Sequence, residues 1–256
     1  MIQFYLPDID LMTTLPEAES GHCVRVLRMR QGDEITCVDG CGHRYLCRIT
    51  EAHPKRCAIE VVSREVVPTH WGVNITLCFA PTKNMERGEW MAEKCTEIGT
   101  DRFIPVECRY SERRVLKTER LHKILVSAMK QSLKATLPQL DELTHIERIL
   151  TDLKDADGKP FSGQKFICYC ADNVERHELV HEYIPGRDVA VLIGPEGDFS
   201  EKEVQTALAH GWIPVSLGES RLRAETAAMI AVADIHCLNQ RQESMTGECD
   251  ISENDA

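Results

Sequence analysis

Five short apolar runs recur after residue 72, and helix-patterned sequence lies between them. They are VNITLCFA at 73–80, RFIPVEC at 102–108, KFICYC at 165–170, DVAVLIG at 188–194 and IPVSLG at 213–218. A strand that is apolar on both sides of its pleat needs cover on both faces, which is the situation of a parallel sheet flanked by helices. Helical patterns occupy 85–98, 117–136, 175–183, 201–210 and 223–239. The alternation predicts an α/β domain with a mainly parallel sheet. In the first helix Met91, Cys95 and Ile98 fall at i, i+4 and i+7, a candidate buried stripe, and Gly99 follows as the expected stop.

Residues 1–70 read differently. Apolar and polar residues alternate from Asp33 to Val67, with breaks at Asp39-Gly40, Gly42 and His53-Pro54. That pattern predicts a small β-barrel or sandwich. Residues 20–28 are expected to form a short helix carrying Arg25 and Arg28 on one face. Pro68 to Gly72 marks a boundary. The expected organisation is a β domain at 1–70, an α/β domain at 71–241 and a disordered tail at 242–256. The tail holds Glu243, Glu248, Asp250, Glu253 and Asp255 and no Lys or Arg.

Composition narrows the class. No apolar run approaches the roughly 18 residues of a membrane helix. The first ten residues lack a basic segment followed by an apolar stretch, so a cytoplasmic protein is expected. Twelve cysteines raise two alternatives. A disulfide scaffold does not suit a chain of this length without a signal. Cys37, Cys41, Cys47 and Cys57, with His43 and His53 nearby, match no standard zinc spacing. Buried reduced thiols are expected, and no metal. The formal net charge is −11, yet residues 80–135 carry twelve Lys/Arg against eight Asp/Glu. This basic segment reads as an anion-binding face or as an ordinary solvated helix surface.

Two loops concentrate the candidate chemistry. In "VLIGPEGDFSEKE" a strand runs into Gly194-Pro195-Glu196-Gly197, and Ser200 with Glu203 forms a capping box that starts the next helix. Ligands bind at the carboxyl ends of strands in open α/β sheets. The spacing fits neither a dinucleotide fingerprint nor a P-loop. Glu196 and Asp198 beside the helix start would repel a phosphate, so a cationic or neutral ligand suits the loop better. The second loop, "VSLGESRLRAETAAMIAVADI", repeats the plan with Gly218 and then a helix rich in small residues. Two such loops at consecutive strand ends point to a shared pocket.

These segments resemble the paired signatures of the SPOUT-class methyltransferases. More narrowly, the chain is similar to the family that methylates N3 of a uridine in 16S ribosomal RNA of the small subunit. "HCVRVLRMRQGD", "KNMERGEWMAEKCTEIGTDRFIPVECRYSERR" and "AMKQSLKATLP" extend the likeness over nearly the whole chain. One departure is Asp198, where that family usually has a further glycine.

The resemblance implies a SPOUT α/β domain with a C-terminal trefoil knot, preceded by a PUA-like β-barrel. It implies S-adenosyl-L-methionine as cofactor, a homodimer, and 16S ribosomal RNA or the small subunit as partner, with neither membrane nor DNA. The implied cofactor residues are Leu192, Ile193, Gly194, Pro195, Glu196, Gly197, Leu217, Gly218, Leu222, Arg223, Thr226 and Ala227. Arg223 is the candidate cation for charge developing on the target base, with Glu225 orienting it. Arg25, Arg28, Arg87, Lys94, Arg113, Lys130 and Gln131 are the candidate RNA contacts. The alternatives are a SPOUT enzyme acting at another RNA site and a non-catalytic RNA-binding protein of ribosome assembly.

Overall fold

The computed structural model describes residues 2–170 and 174–247. The chain divides into two compact units. One comprises Met1–His70 with Leu125–Leu137, the other Trp71–Ile124 with Pro138–Ala256.

The first unit is built on a four-stranded sheet in the order β1 (Gln3–Tyr5), β2 (Glu34–Val38), β3 (His43–Glu51) and β4 (Ala58–Val66). β1 runs parallel to β2, and the other pairs are antiparallel. Alternation puts Ile35, Cys37, Tyr45, Cys47 and Ile49 inside, packed on Phe4, Leu6 and Cys57. Residues 125–137 also belong to this unit, contrary to the expected boundary at residue 70. Their apolar positions decide it: Met129 and Ala135 bury against Val38. Gln3 Nε2 donates to Lys134 O at 2.7 Å, and Leu137 N donates to Gly40 O at 2.8 Å.

The helix expected over 20–28 is shorter and irregular. Helix α1 covers Glu17–Gly21, and one wide π-type turn covers His22–Val26. Arg28 lies beyond it at φ 58°, so Arg25 and Arg28 do not share a helical face.

The second unit carries the expected α/β sandwich. Its strands are β5 (Ile75–Phe79), β6 (Arg102–Glu107), β7 (Gln139–Leu140), β8 (Thr144–His145), β9 (Gln164–Cys168), β10 (His177–Glu178), β11 (Val189–Ile193) and β12 (Ile213–Ser216). The sheet order is β10-β12-β9-β11-β5-β6-β7, with β8 on β6, and every pairing is parallel. All five residues of β5 and all five of β11 are buried. Each such Val, Ile or Leu contributes roughly 1.5–3 kcal/mol relative to exposure.

The helices are α2 (Met85–Ile98), α3 (Thr118–Gln131), α4 (Ile146–Asp152), α5 (Leu179–Glu182), α6 (Glu201–Ala209) and α7 (Ala224–Gly247). The C-terminal half of α3 is counted with the first unit. Asn84 caps α2 by accepting from Glu86 N at 2.9 Å. The buried face of α2 is wider than the predicted stripe: Gly88, Ala92 and Thr96 join Met91 and Cys95, while Ile98 is half-buried. The helix expected at 175–183 shrinks to one turn, because His177–Glu178 pairs with β12 instead. Helix α7 runs to Gly247, six residues into the expected tail, and residues 248–256 lie outside the described residues. Among the described residues no helix is long and apolar enough to cross a membrane, and no His, Cys, Asp and Glu group is arranged to hold a metal.

Candidate functional site

The carboxyl ends of β9, β11 and β12 lie side by side, because these strands are near neighbours in the sheet. The loops that leave them enclose a cleft of about 990 Å³. Its apolar lining includes Ile193, Val215, Leu217, Leu222 and Ala227. Its rim carries both signs: Arg87, Arg176, Arg221 and Arg223 with Glu178, Glu196, Asp198, Glu219 and Glu225.

The loop after β11 is held at several points. The capping box at Ser200 is present as expected: Ser200 N donates to Glu203 Oε2 at 2.7 Å, and Glu203 N donates to Ser200 Oγ at 3.4 Å. Glu203 also accepts from Arg109 N at 2.7 Å through its other oxygen, which ties in the segment after β6. Glu196 accepts from Lys83 N at 3.0 Å. Arg113 then donates to Thr82 O and Lys83 O at 3.2 and 2.9 Å.

Asp198 occupies a left-handed conformation at φ 61°, which explains why glycine would also serve there. Asp is one of the few other residues that tolerate it. Its carboxylate accepts from Phe199 N at 2.9 Å and from Cys170 N at 3.1 Å, joining this loop to the one after β9. Partial desolvation at the cleft pushes the thiols of half-buried Cys168 and solvent-facing Cys170 above the ordinary range, so both are neutral near pH 7.

The loop after β12 is different. Gly218 holds φ 96°, and a Cβ there would meet nothing within 4 Å. The side chains of Arg221 and Arg223 are exposed and form no hydrogen bond or ion pair among the described residues.

Most of the expected cofactor residues converge on the cleft: Ile193, Gly194, Pro195, Glu196, Leu217, Gly218, Leu222, Arg223 and Ala227 line it. Leu192 lies in the sheet core, Gly197 packs against Tyr110, and Thr226 is half-buried outside the lining. Glu225 lines the cleft as well, but its partner is not Arg223. Its Oε1 lies 3.6 Å from Nε of Arg87, so a residue read as an RNA contact belongs to the cleft. Cys168, Tyr169, Cys170, Arg176 and Arg221 line it too and were not singled out. Cys168, Tyr169 and Cys170 close the apolar run at 165–170 and Arg221 follows Gly218 by three residues, whereas Arg176 carries no local signal.

The remaining basic candidates do not gather at one point. Arg25 and Arg28 are exposed in the first unit. Lys130 pairs there with Glu19, and Gln131 is exposed. In the second unit Lys94 sits between Glu93 and Glu97 at 2.7 and 2.9 Å, and hydrogen bonds to them raise its pKa. Arg113 is engaged by the backbone carbonyls named above.

Comparison with known proteins agrees with this architecture. Residues 69–236 match the family model described as RNA methyltransferase domain, and residues 15–62 match RNA methyltransferase PUA domain. A probable rRNA-methyltransferase from Porphyromonas gingivalis is 44% identical, with a TM-score of 0.89 over 94% of this chain and 100% of that one. Ribosomal RNA small subunit methyltransferase E from Neisseria gonorrhoeae, bound to S-adenosyl methionine, is 27% identical, with a TM-score of 0.80 over 93% of this chain and 98% of its own. The protein of the same name from Mycobacterium bovis is 26% identical over 96% of this chain and 94% of its own. The chain, with its parallel α/β sheet and its cleft at the strand ends, belongs to the RNA methyltransferase family.

Proposed function

We propose that the protein methylates N3 of a uridine in 16S ribosomal RNA of the small subunit, with S-adenosyl-L-methionine as methyl donor. The observation that carries this reading is the mixed-charge cleft at the ends of β9, β11 and β12. When bound, S-adenosyl-L-methionine supplies a methyl group on a sulfonium and keeps the electron pair of the broken S–C bond. The cleft chemistry fits such a zwitterion. Apolar side chains at Ile193, Leu217, Leu222 and Ala227 suit an adenosine, acids suit the cationic groups, and arginines suit a carboxylate. Gly194, Pro195, Glu196 and Gly218 supply close backbone, and Leu192, Gly197 and Thr226 back the lining.

The N3 edge of uracil is hidden in a base pair, so the target must enter unpaired or splayed from its helix. Accurate positioning supplies much of the acceleration. Arg223, exposed at the cleft rim, reaches the RNA. Arg25, Arg28, Lys94, Arg113, Lys130 and Gln131 lie in segments similar to that family and extend the contact, with phosphate binding that weakens as salt rises. Residues 1–70, the larger part of the first unit, act as a PUA-like β-barrel for RNA, and residues 71–241 supply the SPOUT domain. The placement of β11 between β5 and β9, with β12 beyond β9, supports a chain path that closes as a trefoil knot. The resemblance supports a homodimer, and a ribosomal substrate supports work in the cytoplasm.

The test is methylation of small subunits from a strain lacking the corresponding enzyme, with labelled donor and nucleoside mass spectrometry. A 3-methyluridine peak that falls with Arg223→Ala is expected. Cofactor binding without any methylated uridine would overturn the substrate reading.

A further inference from the structure

Arg87 stands apart in the cleft. Every other lining residue comes from position 168 onward, whereas Arg87 comes from the first turn of α2. It is held there by Glu225 in the first turn of α7, Nε to Oε1 at 3.6 Å. The Glu225 side chain is only 12% exposed and that of Arg87 is 43% exposed. A covered carboxylate restricts one edge of the guanidinium. The two Nη groups still carry four N–H donors in a fixed plane. Arg223, without a partner among the described residues, has no such constraint.

We propose that Arg87, positioned by Glu225, faces the target uracil and takes up the charge that forms on O2 and O4 when N3 loses its proton. This rests on the reading of N3 methylation given above. The N3–H bond breaks and the proton passes to solvent. The electron pair left on N3, shared with both carbonyl oxygens, then forms the bond to the methyl carbon. A fixed cation beside the ring favours the deprotonated form, so that more of the nucleophile exists at neutral pH. Arg223 is left to the RNA strand. The other charged groups facing this space are Arg176 and Glu178 from β10 and the segment before it, Glu196 and Asp198 after β11, and Glu219 and Arg221 after β12. Among the described residues none of these pairs with Arg87.

The decisive measurement is the single-turnover methylation rate of small subunits against pH, for wild type, Arg87→Gln, Arg87→Lys, Glu225→Gln and Arg223→Gln. The wild-type rate rises with pH to a plateau. Arg87→Gln is expected to lose at least about tenfold at pH 7 and to move the rise upward by about one pH unit or more, since one unit is a factor of ten in ionisation. Arg87→Lys restores part of the position, and Glu225→Gln shifts the rise in the same direction by less. Arg223→Gln raises the RNA concentration needed without moving the rise. A second readout needs no methyl donor: the N3 titration of ¹⁵N-labelled uridine in bound RNA shifts upward in Arg87→Gln. Melting temperature and calorimetric binding of S-adenosylhomocysteine check that each variant is folded and its cofactor pocket intact.

An unmoved rise in Arg87→Gln, with only weaker RNA binding, overturns the inference and returns Arg87 to a phosphate contact. A wild-type protein that makes no 3-methyluridine sinks the functional reading first and this inference with it.

Discussion

The two loops that frame the cleft follow the same sequence plan and are built in opposite ways. The loop after β11 and the first turn of α6 spend their carboxylates on backbone N–H groups of three other segments: Glu196 on Lys83, Glu203 on Arg109 and Asp198 on Cys170. No side chain of the loop after β12, residues 217–223, is anchored in this way among the described residues, except that Leu222 and Leu217 are half-buried. One loop is a fixed wall, and the other is held mainly at its ends. The difference teaches that a glycine-rich strand-to-helix turn says where a ligand site lies, while stiffness comes from what distant backbone the loop can reach.

The sharpest way to break the comparison is Gly194→Ala. A Cβ there would stand 2.9 Å from the ring of Phe199, a buried side chain that would have to shift. We expect a loss of about 1–3 kcal/mol by overpacking and cofactor binding too weak to measure by calorimetry. Wild-type affinity in that variant would mean the wall gives way readily.

Glu203→Ala comes next. It removes the capping box and leaves Arg109 N without its acceptor, at a cost of about 1–2 kcal/mol. Chemical denaturation reads the cost, and Glu203→Gln should recover part of it.

On the unanchored side, Gly218→Ala meets no atom but keeps a positive φ of 96°, so about 1 kcal/mol of backbone strain is expected. Its effect should fall on cofactor affinity more than on melting temperature. An equal loss in both would show that this loop is as fixed as the other.

The smallest effect concerns Cys170. The residue is exposed, but its thiol is held up first by partial desolvation and then by the neighbouring Asp198 charge. The thiolate is the reactive form. Alkylation should therefore be slow at pH 7 and accelerate only above the ordinary thiol value of 9.0. Asp198→Gly, which removes the nearby negative charge and the bond to Cys170 N, should bring the acceleration to lower pH. Mass spectrometry of the labelled peptide follows both.

The parallel sheet was legible because its strands are nearly all apolar, and α2 and α6 because their caps are local. Short pieces were not: α4, β7, β8 and β10 span too few residues for a period to emerge. The two loops were legible from Gly194, Gly218 and the Ser200 box. What their acids touch was not, since the partners lie 28 to 113 residues away in sequence. The same holds for Glu225. Its closeness to Arg223 in sequence suggested a pair, but positions two apart at a helix start point in different directions, and the packing of α2 on α7 brought Arg87 to it instead.

The make-up of the first unit has a consequence for synthesis. A chain leaving the ribosome exposes all four strands of that unit once residue 66 has emerged, but the segment at 125–137 that buries Val38 arrives some sixty residues later. In the interval the sheet is missing part of its packing and the acceptor for Gln3. Maturation of this unit is therefore paced by translation of a stretch that reads, in the linear sequence, as part of its neighbour. A fragment cut at residue 70 lacks that packing altogether.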